Sequence, residues 1–201
     1  ELNPAMITLA REFRSMSQSE LAEKIEKLNQ GNLSKIEKGV LQATDGSIKE
    51  IARVLDFPVS FFYQHEPKTT PSYFYYRARK TTPQKTVNKI EAWFKLHQMG
   101  ISSLLDSIEI PEYNVPSFVL SENATPKDAA RFIRQTLNLP RGPVKNLVRQ
   151  LESRGVVVIF IDIDSDKFDG MTVFTDENVP LMFINKNMPN DRKRFSIAHE
   201  L

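Results

Sequence analysis

Between Asn3 and Tyr63 the sequence starts and stops a helix five times, which leaves a bundle of short helices as its natural fold. Asn3-Pro4 opens the first: Asn serves as N-cap and Pro takes the first turn, where a missing N–H costs nothing. Ile7, Ala10, Phe13 and Met16 follow at helical spacing. "SQSE", Ser17 to Glu20, is a capping box that opens a second helix with Leu21, Ala22 and Ile25 on its apolar face. "LNQG" breaks that helix. Asn29 caps a third, whose inward residues are Leu33 and Ile36 and whose stop is Gly39. Ser47 caps a fourth, carrying Ile48, Ile51, Ala52, Val54 and Leu55, and Pro58 begins a fifth that runs to Tyr63.

A second and third helix joined by a tight turn predict a helix-turn-helix domain over residues 1–66. The outer face of the third helix offers Gln30, Asn32, Ser34, Lys35 and Lys38. Gln and Asn pair bidentately with adenine, and Lys reaches guanine or phosphate. Gln18, at the start of the second helix, is placed to abut the DNA backbone. Periodicity alone also allows a plain helical bundle with a solvated polar face. The stretches "LAREFRSMSQSELAEKI", "NLSKIEKG" and "SIKEIARVLDFPVSFFY" resemble the Cro/C1-type (XRE) helix-turn-helix family over nearly this whole segment. The resemblance implies double-stranded DNA as partner. This sequence departs from the family in its second turn, which is slightly longer and has Lys27 where Gly is usual. The base-facing register is therefore open by a position.

Charge decides less than its placement does. The 201 residues carry a net charge of only +2, and the basic excess falls in 67–110. Any nucleic-acid reading therefore rests on where the cations sit. There is no cysteine, which excludes disulfides, thiol catalysis and Cys-ligated zinc and fits a cytoplasmic protein. The first residues are amphipathic and charged, unlike a signal peptide, and no apolar run is long enough to span a bilayer.

Residues 67–110 read as a basic, aromatic linker followed by a long helix. Tyr73, Phe74, Tyr75 and Tyr76 interleave with Arg77, Arg79 and Lys80. Such a stretch either stacks bases or packs the linker on a neighbouring domain, and the second is the favoured reading. The helix, Val87 to Ile108, carries Ile90, Trp93, Phe94, Leu96, Ile101, Leu104 and Leu105 as a broad apolar stripe. It is expected to bridge domains or to pair with its copy in a homodimer, with Trp93, Phe94, Ile101 and Leu105 at the contact. His97 is expected to make an interhelical polar contact rather than to bind metal.

Residues 111–201 alternate differently. Thr125-Pro126 starts one helix, and "GPVKNLVRQLESRG" reads as a second that Pro143 begins and Gly155 stops. "VVVIFI", "MTVFT" and "LMFIN" are three strands, and a closing helix opens near Asp191. The order is that of an α+β domain. From "GVVVIFI" to "RFSIAHEL" this segment resembles the ImmA/IrrE family of zinc metallopeptidases, a zincin-like fold, with Arg192, Arg194, Phe195, Ala198, His199 and Glu200 matching the family's H-E-x-x-H helix. The resemblance implies zinc, with His199 as a metal ligand and Glu200 as catalytic base. It further implies a second His past Leu201, so residues 1–201 are expected to bind no zinc and to be inactive. His199 and Glu200 are expected to point into a groove beside Leu181–Asn185, where a substrate peptide adds as a strand. Three functions stay open: a DNA-binding transcriptional regulator, a metallopeptidase that cleaves a repressor protein, and an antitoxin-type regulator that binds a toxin.

Overall fold

The computed structural model describes residues 1–66, 83–119, 124–162 and 168–201. The aromatic-basic stretch Tyr73–Lys80 lies outside the described residues. The chain divides into two compact units. Among the described residues the first comprises 1–66 with 83–103, and the second comprises 104–201.

The first unit is helical throughout. α1 (Pro4–Phe13) starts where the Asn3 side chain accepts from the Ala5 N–H. α2 (Gln18–Ala22) opens with the full capping box between Ser17 and Glu20. α3 (Gln30–Glu37) is capped by Asn29, which accepts from the Asn32 N–H at 2.8 Å. α4 spans Asp45–Leu55 and is capped by Thr44 rather than Ser47: the Thr44 hydroxyl accepts from the Ser47 N–H at 3.2 Å. That start lies upstream of the expected one because Asp45 sits well in a first turn, where the helix dipole favours an acid. The fifth helix is a 3-10 turn, Val59–Tyr63. Met6, Ile7, Leu21, Leu33, Ile48, Ile51, Leu55 and Phe62 meet in one core.

α5 (Gln84–Leu105) belongs largely to this unit. Ala92 is buried in the same core, with Leu96 and Met99 packed against it. Polar clasps run along the helix. Lys85 Nζ reaches both Glu20 oxygens at 3.0 Å, the Asn88 amide donates to Glu12 at 2.8 Å, and Lys95 pairs with Glu66. Val87, Ile90 and Phe94 are also buried, so the expected dimer stripe loses Phe94, which is covered within the chain. His97 bonds within its own helix instead of across to another: Nδ1 lies 2.8 Å from the Trp93 carbonyl and the ring stacks on Trp93 at 3.4 Å.

Lys27 takes a positive φ of 68° in the turn between α2 and α3. That left-handed geometry costs a side-chain-bearing residue roughly 1–2 kcal/mol. Glycine removes the strain but loses more chain entropy on folding. Lys27→Gly is therefore expected to stabilise the unit by up to about 1 kcal/mol and raise its melting temperature by a few degrees. An unchanged or lower melting temperature would show that the strain in the turn does not exceed the entropy that glycine adds to the unfolded chain.

The second unit is a three-stranded mixed sheet with helices against it. β1 (Val157–Ile161) runs parallel to β3 (Pro180–Asn185), and β2 (Gly170–Phe174) runs antiparallel to β3, giving the order β1-β3-β2. β3 is central and every residue in it is buried, as its apolar run from Pro180 to Ile184 requires. α6 (Pro126–Thr136) starts at Thr125 as expected. α7 is shorter than expected: it spans Leu147–Glu152 behind an Asn146 cap, and Pro143 does not start it. Pro143 is followed by Val144, which is buried in the core and whose carbonyl accepts from Arg194, so this stretch is spent on packing rather than on helix. α8 (Asn190–Glu200) lies across β2 and β3, with Ile197 in a cluster with Leu147, Leu151, Met182, Ile184 and Met188. Among the described residues no helix is long and apolar enough to cross a membrane.

Candidate nucleic-acid interface and the end of the last helix

A charged relay runs under the exposed face of α3. Arg11 of α1 donates to both oxygens of Glu37, at 2.7 and 2.9 Å, and to the Met16 carbonyl at 2.8 Å. The pair is almost out of solvent, with side chains 10% and 5% exposed. Glu37 also accepts from the Gln18 amide at 2.8 Å, and the Gln18 oxygen accepts from the Gln30 amide at 2.9 Å. The heads of α2 and α3 are thus tied side by side through their first residues. Of the expected contact residues, Gln18 and Gln30 are brought together by these bonds. Lys35 and Lys38 are exposed, and Ser34 and Asn32 are half-buried.

These residues do not all share one direction. At about 100° per residue, Gln30, Ser34 and Lys38 form one row along α3, Lys35 flanks it, and Asn32 stands roughly 60° beyond Lys35. Arg11 and Glu37 were missed by sequence reasoning, yet a signal was present. Arg11 lies four residues after Ile7 and Glu37 four after Leu33, so each puts a charge on the apolar face of its helix. A charge so placed needs a partner.

At the far end of the chain, His199 is exposed, and its ring lies nearly parallel to that of Phe195 at 6.3 Å. Glu200 is half-buried and lines a cleft of about 290 Å³ with Tyr113, Val115, Thr172 and Met182. Burial pushes its carboxyl above the usual carboxylate range, and neighbouring His199 and Thr172 pull it partly back. The cleft that Glu200 lines is bordered by Pro180 and Met182 of β3 as well as by β2, but the expected addition of a peptide strand beside β3 is not possible there. β3 is hydrogen-bonded on both sides and has no edge for a peptide to join, and Glu200 sits against Gly170 and Thr172 of β2. Arg192 fixes α8 to the approach of β2 through a bidentate contact with Asp169, at 2.8 and 3.0 Å. Catalytic zinc needs three protein ligands. Among the described residues no three His, Cys, Asp or Glu side chains gather, so His199 and Glu200 do not by themselves fit the metal.

A capped α2 bound through its head to the head of α3, with α3 presenting amides and cations, is the arrangement of a helix-turn-helix domain. A helix-turn-helix family model matches residues 7–62, and a peptidase family model, the IrrE N-terminal-like domain, matches residues 151–201. The chain therefore joins a helix-turn-helix domain to an IrrE N-terminal-like α+β segment, as the two resemblances imply. No curated protein and no solved structure matches it at a significant level.

Proposed function

We propose that this chain is a sequence-specific, double-stranded-DNA-binding transcriptional regulator of the cytoplasm. It acts as a homodimer on paired half-sites. Its IrrE-like segment engages a protein partner of the repressor or toxin kind. The observation that carries the reading is the relay Arg11–Glu37–Gln18–Gln30, which orients two amides at the heads of adjacent helices while Lys35 and Lys38 stay free in solvent. Amides tied through hydrogen bonds to the buried Arg11–Glu37 pair are preorganised to read bases or phosphates, and a solvated bundle face has no need of such a scaffold. Gln30, Asn32, Ser34, Lys35 and Lys38 are the proposed contacts of α3, with Gln18 against the backbone. His199 and Glu200 are the proposed metal ligand and catalytic carboxylate of the IrrE-like segment, and no reaction step is assigned to them.

Selection of binding sites from a random duplex library tests this. Gln30→Ala and Asn32→Ala are expected to flatten the base preference at one or two positions, a loss of roughly 1–3 kcal/mol of discrimination each. Lys35→Ala is expected to weaken binding evenly across sequences and to reduce the salt slope by about 1. A wild-type chain that enriches no sequence and binds no duplex at low salt would end the regulator reading.

A further inference from the structure

We propose that the DNA-facing surface continues past the helix-turn-helix onto the head of α5, where Lys85 and Lys89 meet the duplex backbone. The proposal rests on the DNA-binding reading above and extends its interface to residues outside the matched helix-turn-helix segment. A chain of contacts carries it. Gln30 at the head of α3 bonds Gln18 at the head of α2. Ser17, one residue before Gln18, donates its N–H to Glu20, and Glu20 holds Lys85 of α5 at 3.0 Å through both oxygens. The heads of α2, α3 and α5 therefore converge at one end of the unit. Lys89 follows Lys85 by one helical turn, so the two cations share a face. Both are exposed, and the first turn of α5 contains no acid.

The two lysines have different parts. Glu20 faces Lys85 and largely neutralises it, so its service is to pin α5 beside α2. The Lys85 side chain remains 56% exposed and can exchange the carboxylate for a phosphate. Among the described residues Lys89 makes no ion pair, so its charge is not offset by a carboxylate there. Lys95 lies farther along the same helix, at the opposite end of the clasp, and pairs with Glu66. That makes it an internal control: the same charge on the same helix, away from the converging heads. Duplex DNA is the occupant that the charge and the continuity with α2 and α3 select.

The test measures binding of the full chain to a random-sequence duplex of about 20 base pairs by fluorescence anisotropy, across a salt series starting near 50 mM. Lys85→Gln and Lys89→Gln are each expected to weaken binding about two- to fivefold at low salt. Together they are expected to lower the log–log salt slope by between about 1 and 2. Lys95→Gln is expected to leave affinity and slope unchanged. If wild type binds and all three variants bind alike, the proposal falls while the DNA-binding reading stands. An equal loss in all three also overturns it, since the effect would then be net charge. No binding by wild type removes both.

Discussion

Glu37→Ala is expected to destabilise the first unit by about 3–5 kcal/mol in urea unfolding, a large part of what holds an ordinary domain together. The loss comes from what remains. Arg11 would keep its guanidinium buried with only the Met16 carbonyl to bond, and the Gln18 amide would lose its acceptor. An unpaired buried charge costs several kcal/mol, whereas removing both charges together can cost little. The double variant Arg11→Met with Glu37→Leu should therefore recover much of the stability while still losing the orientation of Gln18 and Gln30. Stability and DNA affinity would then separate. A Glu37→Ala loss below about 1 kcal/mol would mean that solvent reaches the pair and that the relay is decorative.

Gly155→Ala is expected to unfold the second unit selectively, at a cost of about 2–5 kcal/mol. Gly155 has φ +77°, and a Cβ there would lie 2.5 Å from the Pro111 carbonyl oxygen, 2.7 Å from the Tyr113 nitrogen and 2.8 Å from the Glu112 carbonyl carbon. All three are backbone atoms, so no side-chain rotation relieves the clash. The segment is also tied in place, since the Asn114 N–H donates to the Arg154 carbonyl at 3.0 Å. Gly142→Ala is the matched comparison. Its φ is +101° but nothing lies within 4 Å of a Cβ, so only backbone strain of roughly 1–2 kcal/mol is expected. Thermal melts resolving the two units should show only the second transition falling, and falling further for Gly155. Equal shifts would mean that the loop 111–113 yields freely.

The pattern of what could be read from the sequence follows the range of the interactions. Asn3, Ser17, Asn29 and Thr125 cap the helices they were expected to cap, because a cap is a contact across three residues and its chemistry is local. Thr44 and Asn146 displaced Ser47 and Pro143 where two good starters compete within a few residues. Burial of Val144 decides the second contest, and burial is not local. The strands were legible as apolar runs, but their order was not. "VVVIFI" and "LMFIN" look alike as buried strands, and nothing in either says which lies in the middle. That is why a peptide was expected to add beside β3, which turns out to be the central strand with no free edge. The DNA face was legible at Gln18 and Gln30 as residue types at helix heads, but their mutual bond depends on Glu37 and Arg11, which are distant in sequence and meet only in the packed unit.

The strand order also sets a timetable for synthesis. β2 and β3 are neighbours in sequence and can zip together as a local hairpin, a fast event. β1 is made before either, yet its paired strand is β3, twenty-four residues later along the chain, with Val157 matched to Leu181. On the ribosome β1 must therefore wait, with an apolar run facing water, until the hairpin has left the exit tunnel. Slowing translation between Ile161 and Leu181 would lengthen that wait, and nascent chains of this protein should be most prone to aggregate in that window.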